Sequence, residues 1–355
     1  MLNLSQNGCS VWVASSTASI LTPTTVALGK FDGVHLGHQK VIQPILQSAG
    51  SKDEESQKRQ ESGISTDSQN LIAPQTQPQE RTYSTVVTFH PHPQEFFTGK
   101  PRTWLTPLDE KVQQLRSFGV EQLVLLPFDK ELSALSPEEF VDKILVQQLR
   151  CQRISVGQDF CFGKQRQGTA QDLQLFAAKY NIPVTIVPLQ IHADHPTLEA
   201  PISTSLIRKS LESGDIKTAN LCLGRPYTLI GVVIQGQQLG RTIGFPTANL
   251  QIPRDKFLPR QGVYAVRVNI VSETPDTTTP PLILGVMNIG NRPTVNGANS
   301  SVEVHLFDWA GDLYGKTLAV QLIDFLRPEQ KFPSLEALKT QIQKDCTIAR
   351  KILSE

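Results

Sequence analysis

A chain of 355 residues exceeds the usual single-domain range, so two domains, each burying its own core, are the expected organisation. Its 34 Lys plus Arg against 33 Asp plus Glu leave no basic stripe, which speaks against nucleic acid or another large polyanion as a partner. The five cysteines are odd in number, scattered and never spaced as CxxC, so neither a disulfide framework nor a thiolate zinc site is indicated and a reducing compartment fits.

Along residues 1–29, Ser and Thr interrupt every apolar run, so no signal-peptide core and no membrane span is expected, and the cytoplasm is the expected location. "TTVALG" (24–29) is a β-branched run ending in glycine, and "HQKVIQPILQS" (38–48) has apolar residues at helical spacing with Pro44 as a candidate kink. Strand, turn and helix follow in that order. Residues 49–82 are rich in Ser, Gln and charge and poor in aromatics, which predicts a disordered surface insertion, with a charged interaction tail as the alternative.

"STVVTF" (84–89), "EQLVLLPF" (121–128), "RISVG" (153–157) and "VTIVPL" (184–189) are further strands. Between them "SPEEFVDKILVQQLR" (136–150) reads as a helix, with Ser136 as N-cap, Pro137 at its first position and acidic residues in its first turn. Alternating strands and helices predict an α/β unit: a doubly wound parallel sheet with its ligand crevice at the carboxyl ends of the strands. After about residue 222 the texture changes to strands separated by Gly, Pro and Asn turns, which predicts a closed antiparallel β-barrel. A last helix over 334–353, capped by Ser334 with Glu336 in its first turn, should pack on that barrel. The expected domains are therefore 1–221 and 222–355.

Chemistry concentrates first in "GKFDGVHLGHQKVI" (29–42). His35 and His38 stand at the entry to a helix, where unpaired backbone N–H groups and the dipole favour an anion, and Gly33 and Gly37 permit close approach to the backbone. Three readings stay open on spacing alone. The imidazoles could merely cap a turn, could stabilise charge on a phosphoryl group, or could join His90 and His92 of "FHPHP" in a metal site.

The run Gly29, Phe31, Asp32, Gly33, His35, Gly37, His38 resembles the HxGH signature of nucleotidyltransferases, in the form found in bacterial bifunctional riboflavin kinase/FAD synthetases. Further motifs follow in that family's order: "VTFHPHP", "VGQDFCFG" (156–163), "ISTSLIR" (202–208), "GRPY" (224–227), "GRTIGFPTANL" (240–250) and "VEVHLFDWAGDLYG" (302–315). The resemblance spans the chain apart from its N-terminal tail and the 49–82 insertion.

It implies an N-terminal FMN adenylyltransferase and a C-terminal riboflavin kinase, with ATP as co-substrate, Mg2+ in both reactions, and riboflavin, FMN and FAD as substrate, intermediate and product. No nucleic acid or membrane partner is implied, and a monomer or weak homo-oligomer is expected.

"ISTSLIRKSLESGD" also reads unaided as an N-capped helix stopped by Gly214, whose hydroxyls and Arg208 suit ATP phosphates. The family has Ser-Ser-Thr where this chain has Ser203, Thr204 and Ser205, and the donors survive that change. The loop holding Asp159 is implied to border the ATP and flavin site, whereas by residue type alone it is a tight turn.

"GQQLGRT" (236–242) imitates a P-loop with one residue too few, Arg for Lys, and no helix expected after it. A mobile glycine-rich flap containing Gly240 is the better reading, leading into Thr247 and Asn249, whose side-chain oxygens suit Mg2+ and ATP phosphates. On spacing alone those two are turn residues. Alternation places Glu303 and His305 on one face of "SVEVHLF", away from Val302, Val304 and Leu306. The resemblance makes Glu303 the base that takes the proton from the riboflavin 5'-hydroxyl, and it gives His90 no role.

Two rival functions remain at this stage. One is a nucleotidyltransferase for another phosphorylated substrate; the other is a metal-binding module built on the four histidines.

Overall fold

The structure is a computed structural model that describes residues 12–16, 19–46, 81–191, 200–236, 239–271, 282–294 and 297–354. The 49–82 insertion falls outside the described residues except for its last two positions, and Cys9 falls outside them too. Two compact units emerge: Met1–Arg102 with Leu108–Gln190, and Thr103–Pro107 with Ile191–Glu355.

In the first unit the strands are β1 Trp12–Ala14, β2 Thr24–Leu28, β3 Tyr83–His90, β4 Gln122–Pro127, β5 Cys151–Gly157, β6 Cys161–Phe162, β7 Gly168–Thr169 and β8 Val184–Val187. Six of them form one sheet in the order β1-β4-β3-β2-β5-β8, every pairing parallel. β6, at the end of "VGQDFCFG", pairs antiparallel with β7 beyond it as a small hairpin.

Alternation along each strand divides the core between the two faces of the sheet. Val26, Leu28, Val87, Val124 and Leu126 pack with Phe140, Val141, Ile144 and Leu145 on one side. Ala27, Val86, Leu123 and Leu125 pack with Val41, Ile42, Ile45, Val112 and Leu115 on the other. Each large aliphatic side chain so buried contributes about 1.5–3 kcal/mol against the entropy of ordering the chain. This is the doubly wound sheet that the alternating pattern predicts.

Local signals act as expected at several helix ends. Ser136 accepts from Glu139 N and the Glu139 carboxylate accepts from Ser136 N, a reciprocal cap. Only Pro137–Glu139 beyond it is α-helical, however, because Phe140–Gln148 winds as a π-helix closed by Leu149 N to Ile144 O at 2.9 Å. The first helix runs Leu36–Leu46, two residues earlier than the spacing predicts, with Pro44 inside it. His38 is consequently a residue of the first turn, and its backbone N–H is capped by Nδ1 of His35 at 3.3 Å.

The second unit holds β9 Tyr227–Ile234, β10 Ala248–Gln251, β11 Gly262–Val271, β12 Ile283–Thr294, β13 Gly297–Leu306 and β14 Thr317–Pro328. They close into an antiparallel barrel in the order β10-β13-β12-β11-β14-β9, the ring completed by the pairing of β9 with β10. The terminal helix Leu335–Ser354 lays Ala349 and Leu353 on Val263, Ala265, Val286 and Phe307, as expected. Asp345 of that helix takes a bidentate bond from Arg327 of β14 at 2.8–3.1 Å and a third from Gln341.

The helices Thr204–Ser213 and Ile216–Leu223 group with the barrel rather than with the sheet. Asn220 donates to Leu322 O at 2.8 Å and accepts from Tyr227 N at 2.7 Å, which ties the second of them to β14 and β9. One turn of helix, Leu239–Thr242, occupies the flap where no helix was expected; at four residues it is too short to supply the anion-binding helix of a P-loop.

Candidate functional site

In a doubly wound sheet the ligand crevice opens where the connections reverse direction, beyond the carboxyl ends of the two strands that flank the reversal. The chain runs from β2 through β3 to β4 in one direction and then returns to β5 on the other side of β2, so the reversal lies between β2 and β5. β2 ends in the loop carrying Gly29 to His38, and β5 ends in the turn carrying Asp159. Both sequence-predicted segments therefore leave the sheet at its switch point.

The loop after β2 is conformationally unusual. Phe31, Gly33 and Val34 all have positive φ (47°, 88° and 43°), a region costly for a β-branched side chain such as Val34. Burial holds it there, since Phe31, Asp32, Val34 and His35 are all buried. A Cβ on Gly29 would stand 3.0 Å from the Phe31 ring. Gly37 lies in the first turn of the helix that follows.

His35 and His38 stack with ring centroids 3.7 Å apart and planes 18° apart, and Phe31 abuts His38 at 5.1 Å. Because Nδ1 of His35 accepts from His38 N, the proton of neutral His35 resides on Nε2. Burial, then the His35 ring and Lys111, push the His38 pKa well below the ordinary histidine value, so His38 is neutral at pH 7. Its Nδ1 is buried and finds no hydrogen-bond partner among the described residues, a deficit that bound ligands commonly relieve.

Cations that the motifs did not single out gather around this loop. Arg102 reaches Asp32 at 3.9 Å, and Lys111 donates to Lys30 O at 3.4 Å from a buried position. Burial lowers the Lys30 pKa, Arg166 and Arg102 lower it further, and Asp159 opposes them. Burial brings Lys111 down to about 8 against the pull of Asp32. A sequence signal for Lys111 did exist: it stands three residues after Leu108 and four before Leu115, on the apolar face of its helix, where a lysine is out of place.

His92 is buried and caps the helix Pro93–Thr98, its Nδ1 accepting from Gln94 N at 3.0 Å. Burial, with Arg102 and Lys30 nearby, lowers its pKa to about 4. Nδ1 is thus spent as an acceptor and Nε2 carries the proton, leaving no ring lone pair for a metal. His90 is exposed, and among the described residues no cluster of three or more His, Cys, Asp or Glu could hold a metal ion. The four-histidine metal module is therefore unsupported.

In the second unit Ser203 caps its helix by accepting from Leu206 N at 3.2 Å, and Gly214 ends it at φ 85°. Arg208 donates to Thr103 O and lies over the Phe257 ring at 4.7 Å. Thr204 is half-buried and Ser205 exposed at the start of the same helix.

On the barrel, Asn249 pairs with Glu303 between β10 and β13, and Thr247 Oγ1 donates to Glu303 Oε2 at 3.3 Å. Val302, Val304 and Leu306 are buried while Glu303 and His305 are half-exposed, the alternation that the sequence predicts. A Cβ on Gly236 would fall 2.2 Å from Asn249 Nδ2, and one on Gly240 would fall 2.3 Å from Phe245 O. Both glycines let the flap lie directly on the Thr247–Asn249 segment. His305 was placed on the Glu303 face by alternation but given no role; its Nδ1 bonds Pro246 O at 2.9 Å.

Comparison with known proteins bears on both units. An FAD synthetase family model matches residues 17–57 and 69–198, and a riboflavin kinase family model matches residues 223–353. The chain is 36% identical over 323 residues to the bifunctional riboflavin kinase/FMN adenylyltransferase of Listeria monocytogenes, covering 90% of this chain and 89% of that one. To the protein of the same description from Pseudomonas fluorescens it is 38% identical over 327 residues, 91% of each. Among solved structures it is similar, at TM-score 0.75 and 27% identity over 96% of this chain and 98% of the other, to a crystal structure described as a macrolide-efflux protein from Streptococcus pneumoniae. Among the described residues here, no helix is long and apolar enough to cross a membrane.

Proposed function

This chain belongs to the bifunctional riboflavin kinase/FMN adenylyltransferase family, and from that premise we propose how its own residues divide the two reactions. It phosphorylates riboflavin with ATP to FMN, releasing ADP, and adenylylates FMN with a second ATP to FAD, releasing pyrophosphate.

Phosphorylation belongs to the barrel. The observation that carries this assignment is the Thr247 hydroxyl on the Glu303 carboxylate, with Asn249 opposite Glu303 in register. Glu303 acts as the general base, accepting the proton of the ribityl 5'-hydroxyl as that oxygen attacks the γ-phosphorus of ATP. A positioned base is worth about 100- to 10,000-fold. Thr247 and Asn249 supply neutral oxygens, the donor type a hard cation takes alongside phosphate, and would hold Mg2+. When bound, that ion neutralises charge on the ATP phosphates. Gly240 keeps the flap close to this segment.

Adenylylation belongs to the residues around the sheet's switch point. An FMN phosphate oxygen attacks the α-phosphorus of ATP and pyrophosphate leaves, so no protein base is needed. Catalysis is then positioning and charge stabilisation. His35 and His38 act as neutral hydrogen-bonding groups, because two stacked rings beside Lys111 resist protonation. Lys30, Arg102 and Arg166 supply positive charge for phosphates, and Gly29, Phe31, Asp32, Gly33 and Gly37 shape the loop that receives ATP. Ser203, Thr204, Ser205 and Arg208, at the N-terminal end of the helix Thr204–Ser213, are phosphate-binding groups, and Asp159 is a nucleotide-bordering residue of the sheet unit.

The functional division we propose is 1–221 and 222–355. Both reactions use Mg2+, run in the cytoplasm, and need no nucleic-acid or membrane partner; the assembly is a monomer or weak homo-oligomer. The test is to incubate the protein with riboflavin and ATP and follow FMN and FAD by chromatography. FMN should precede FAD, chelation should stop both, and added Mg2+ should restore both. FAD formed from FMN with no FMN formed from riboflavin would remove the kinase half.

A further inference from the structure

His305 sits two residues beyond Glu303 on the same face of β13. The antiparallel register pairs Asn249 with Glu303 and Ala248 with Val304, so one step further His305 lies level with Thr247, just past the end of β10. Its Nδ1 contacts the carbonyl oxygen of Pro246 at 2.9 Å. A carbonyl oxygen only accepts, so Nδ1 is the donor and carries the proton. Phe245 meets the His305 ring edge-on at 5.4 Å and Phe307 meets it at 6.0 Å, so packing as well as the hydrogen bond holds the ring.

These contacts fall on the two residues that precede Thr247, at the point where the chain turns from the flap into β10. Thr247 lies outside the paired residues of β10. It precedes the strand, so no ladder pairing orients its hydroxyl, and Pro246 before it has no N–H to offer. We propose that His305 is a positioning residue of the kinase reaction, which anchors the Pro246 carbonyl and so holds the Thr247 hydroxyl against Glu303 in the geometry that MgATP requires. This rests on the assignment of Glu303 and Thr247 to the kinase site. The general reason for the effect is that displacing a reacting group by about 1 Å can cost on the order of 100-fold in rate.

The role is specific to one ring atom, which makes it testable by isosteres. Asn places its side-chain N–H₂ near the position of imidazole Nδ1, whereas Gln reaches towards that of Nε2. In the full-length protein, His305→Ala and His305→Gln should lower kcat/KM for MgATP in riboflavin phosphorylation by roughly 10- to 100-fold. His305→Asn should recover most of that loss, and FMN adenylylation by the same variants should be unchanged, which reports that the chain is folded. Equal loss in Ala, Gln and Asn variants, or no loss in Ala, would overturn the proposal. Glu303→Gln run alongside separates the two levels. If it leaves phosphorylation intact the kinase-site assignment itself has failed; if it abolishes phosphorylation while His305→Ala does nothing, only the positioning role has.

Discussion

The imidazoles of His35 and His38 lie stacked, with centroids 3.7 Å apart, and the first caps the backbone N–H of the second. Such a pair cannot readily carry two positive charges, and burial already holds His38 well below the ordinary histidine pKa. An NMR titration of the ring resonances should therefore find His38 titrating well below the ordinary histidine value. A His38 titration midpoint near the usual histidine value would contradict the neutral-pair account.

Lys111 should give the proposed adenylylation site an alkaline limit. Its pKa is lowered to about 8, so the ammonium is charged below that pH and loses its charge as pH rises through it. FMN adenylylation should fall across that interval, and Lys111→Arg, which stays protonated, should carry activity to higher pH. Lys111→Met should reduce kcat/KM at pH 7 on the order of 10-fold, equivalent to about 1.4 kcal/mol of barrier, and abolish the alkaline limb. Riboflavin phosphorylation by the same variants is the control.

His92 makes stability pH-dependent on the acid side. Its folded pKa is about 4, below the value of an unfolded histidine, so the unfolded chain binds the extra proton first. The neutral cap's contribution is therefore complete above about pH 6.5 and is lost as pH falls towards 4. His92→Asn keeps a capping side chain that does not titrate, and should flatten the fall in melting temperature between pH 7 and 5. His92→Ala should cost about 0.5–2 kcal/mol at pH 7.

Two ion pairs anchor the terminal helix with unequal effect. Arg327 and Asp345 leave only 17% and 4% of their side chains exposed, whereas Arg350 and Asp308 leave 50% and 79%. Asp345→Ala removes the buried carboxylate that holds a half-buried guanidinium and should destabilise by about 2–4 kcal/mol. Asp308→Ala should cost at most about 1 kcal/mol. Denaturant unfolding of both variants measures the difference.

Much of this molecule can be read directly from residue patterns, and the misses have physical causes. β2, β3, β4 and β5 announce themselves as compact apolar runs, and Ser136, Ser203 and Ser334 each cap the helix expected of them. β1 escapes notice because three residues set among Ser and Thr carry no period; its place is fixed by pairing with β4, more than a hundred positions away. The π-winding of Phe140–Gln148 is equally silent, since a helical apolar pattern does not distinguish i+4 from i+5 bonding. His92 looked like part of a histidine constellation and proves to be a cap. The helices from Thr204 to Leu223 follow the sheet in sequence but group with the barrel, through Asn220 and through contacts no local pattern encodes. The chemistry proposed for His35, His38, Thr247, Asn249 and Glu303 comes from resemblance. Lys30, Arg102 and Arg166 were not legible, because such a cation has no assigned partner until the fold brings it to others, and Lys111 showed itself only as a lysine on the apolar face of its helix.

The central claim is that one chain carries two chemically separate sites, with Glu303 serving only the first reaction and His38 only the second. The direct measurement supplies each full-length variant with riboflavin and ATP, and separately with FMN and ATP, in Mg2+, and separates FMN from FAD by chromatography. Glu303→Gln should cut FMN formation by about 100-fold or more yet convert supplied FMN to FAD at the parental rate. His38→Ala should form FMN normally and fail to make FAD. If either folded variant lost both activities, or if Glu303→Gln still phosphorylated riboflavin at the parental rate, the two-site account would be wrong.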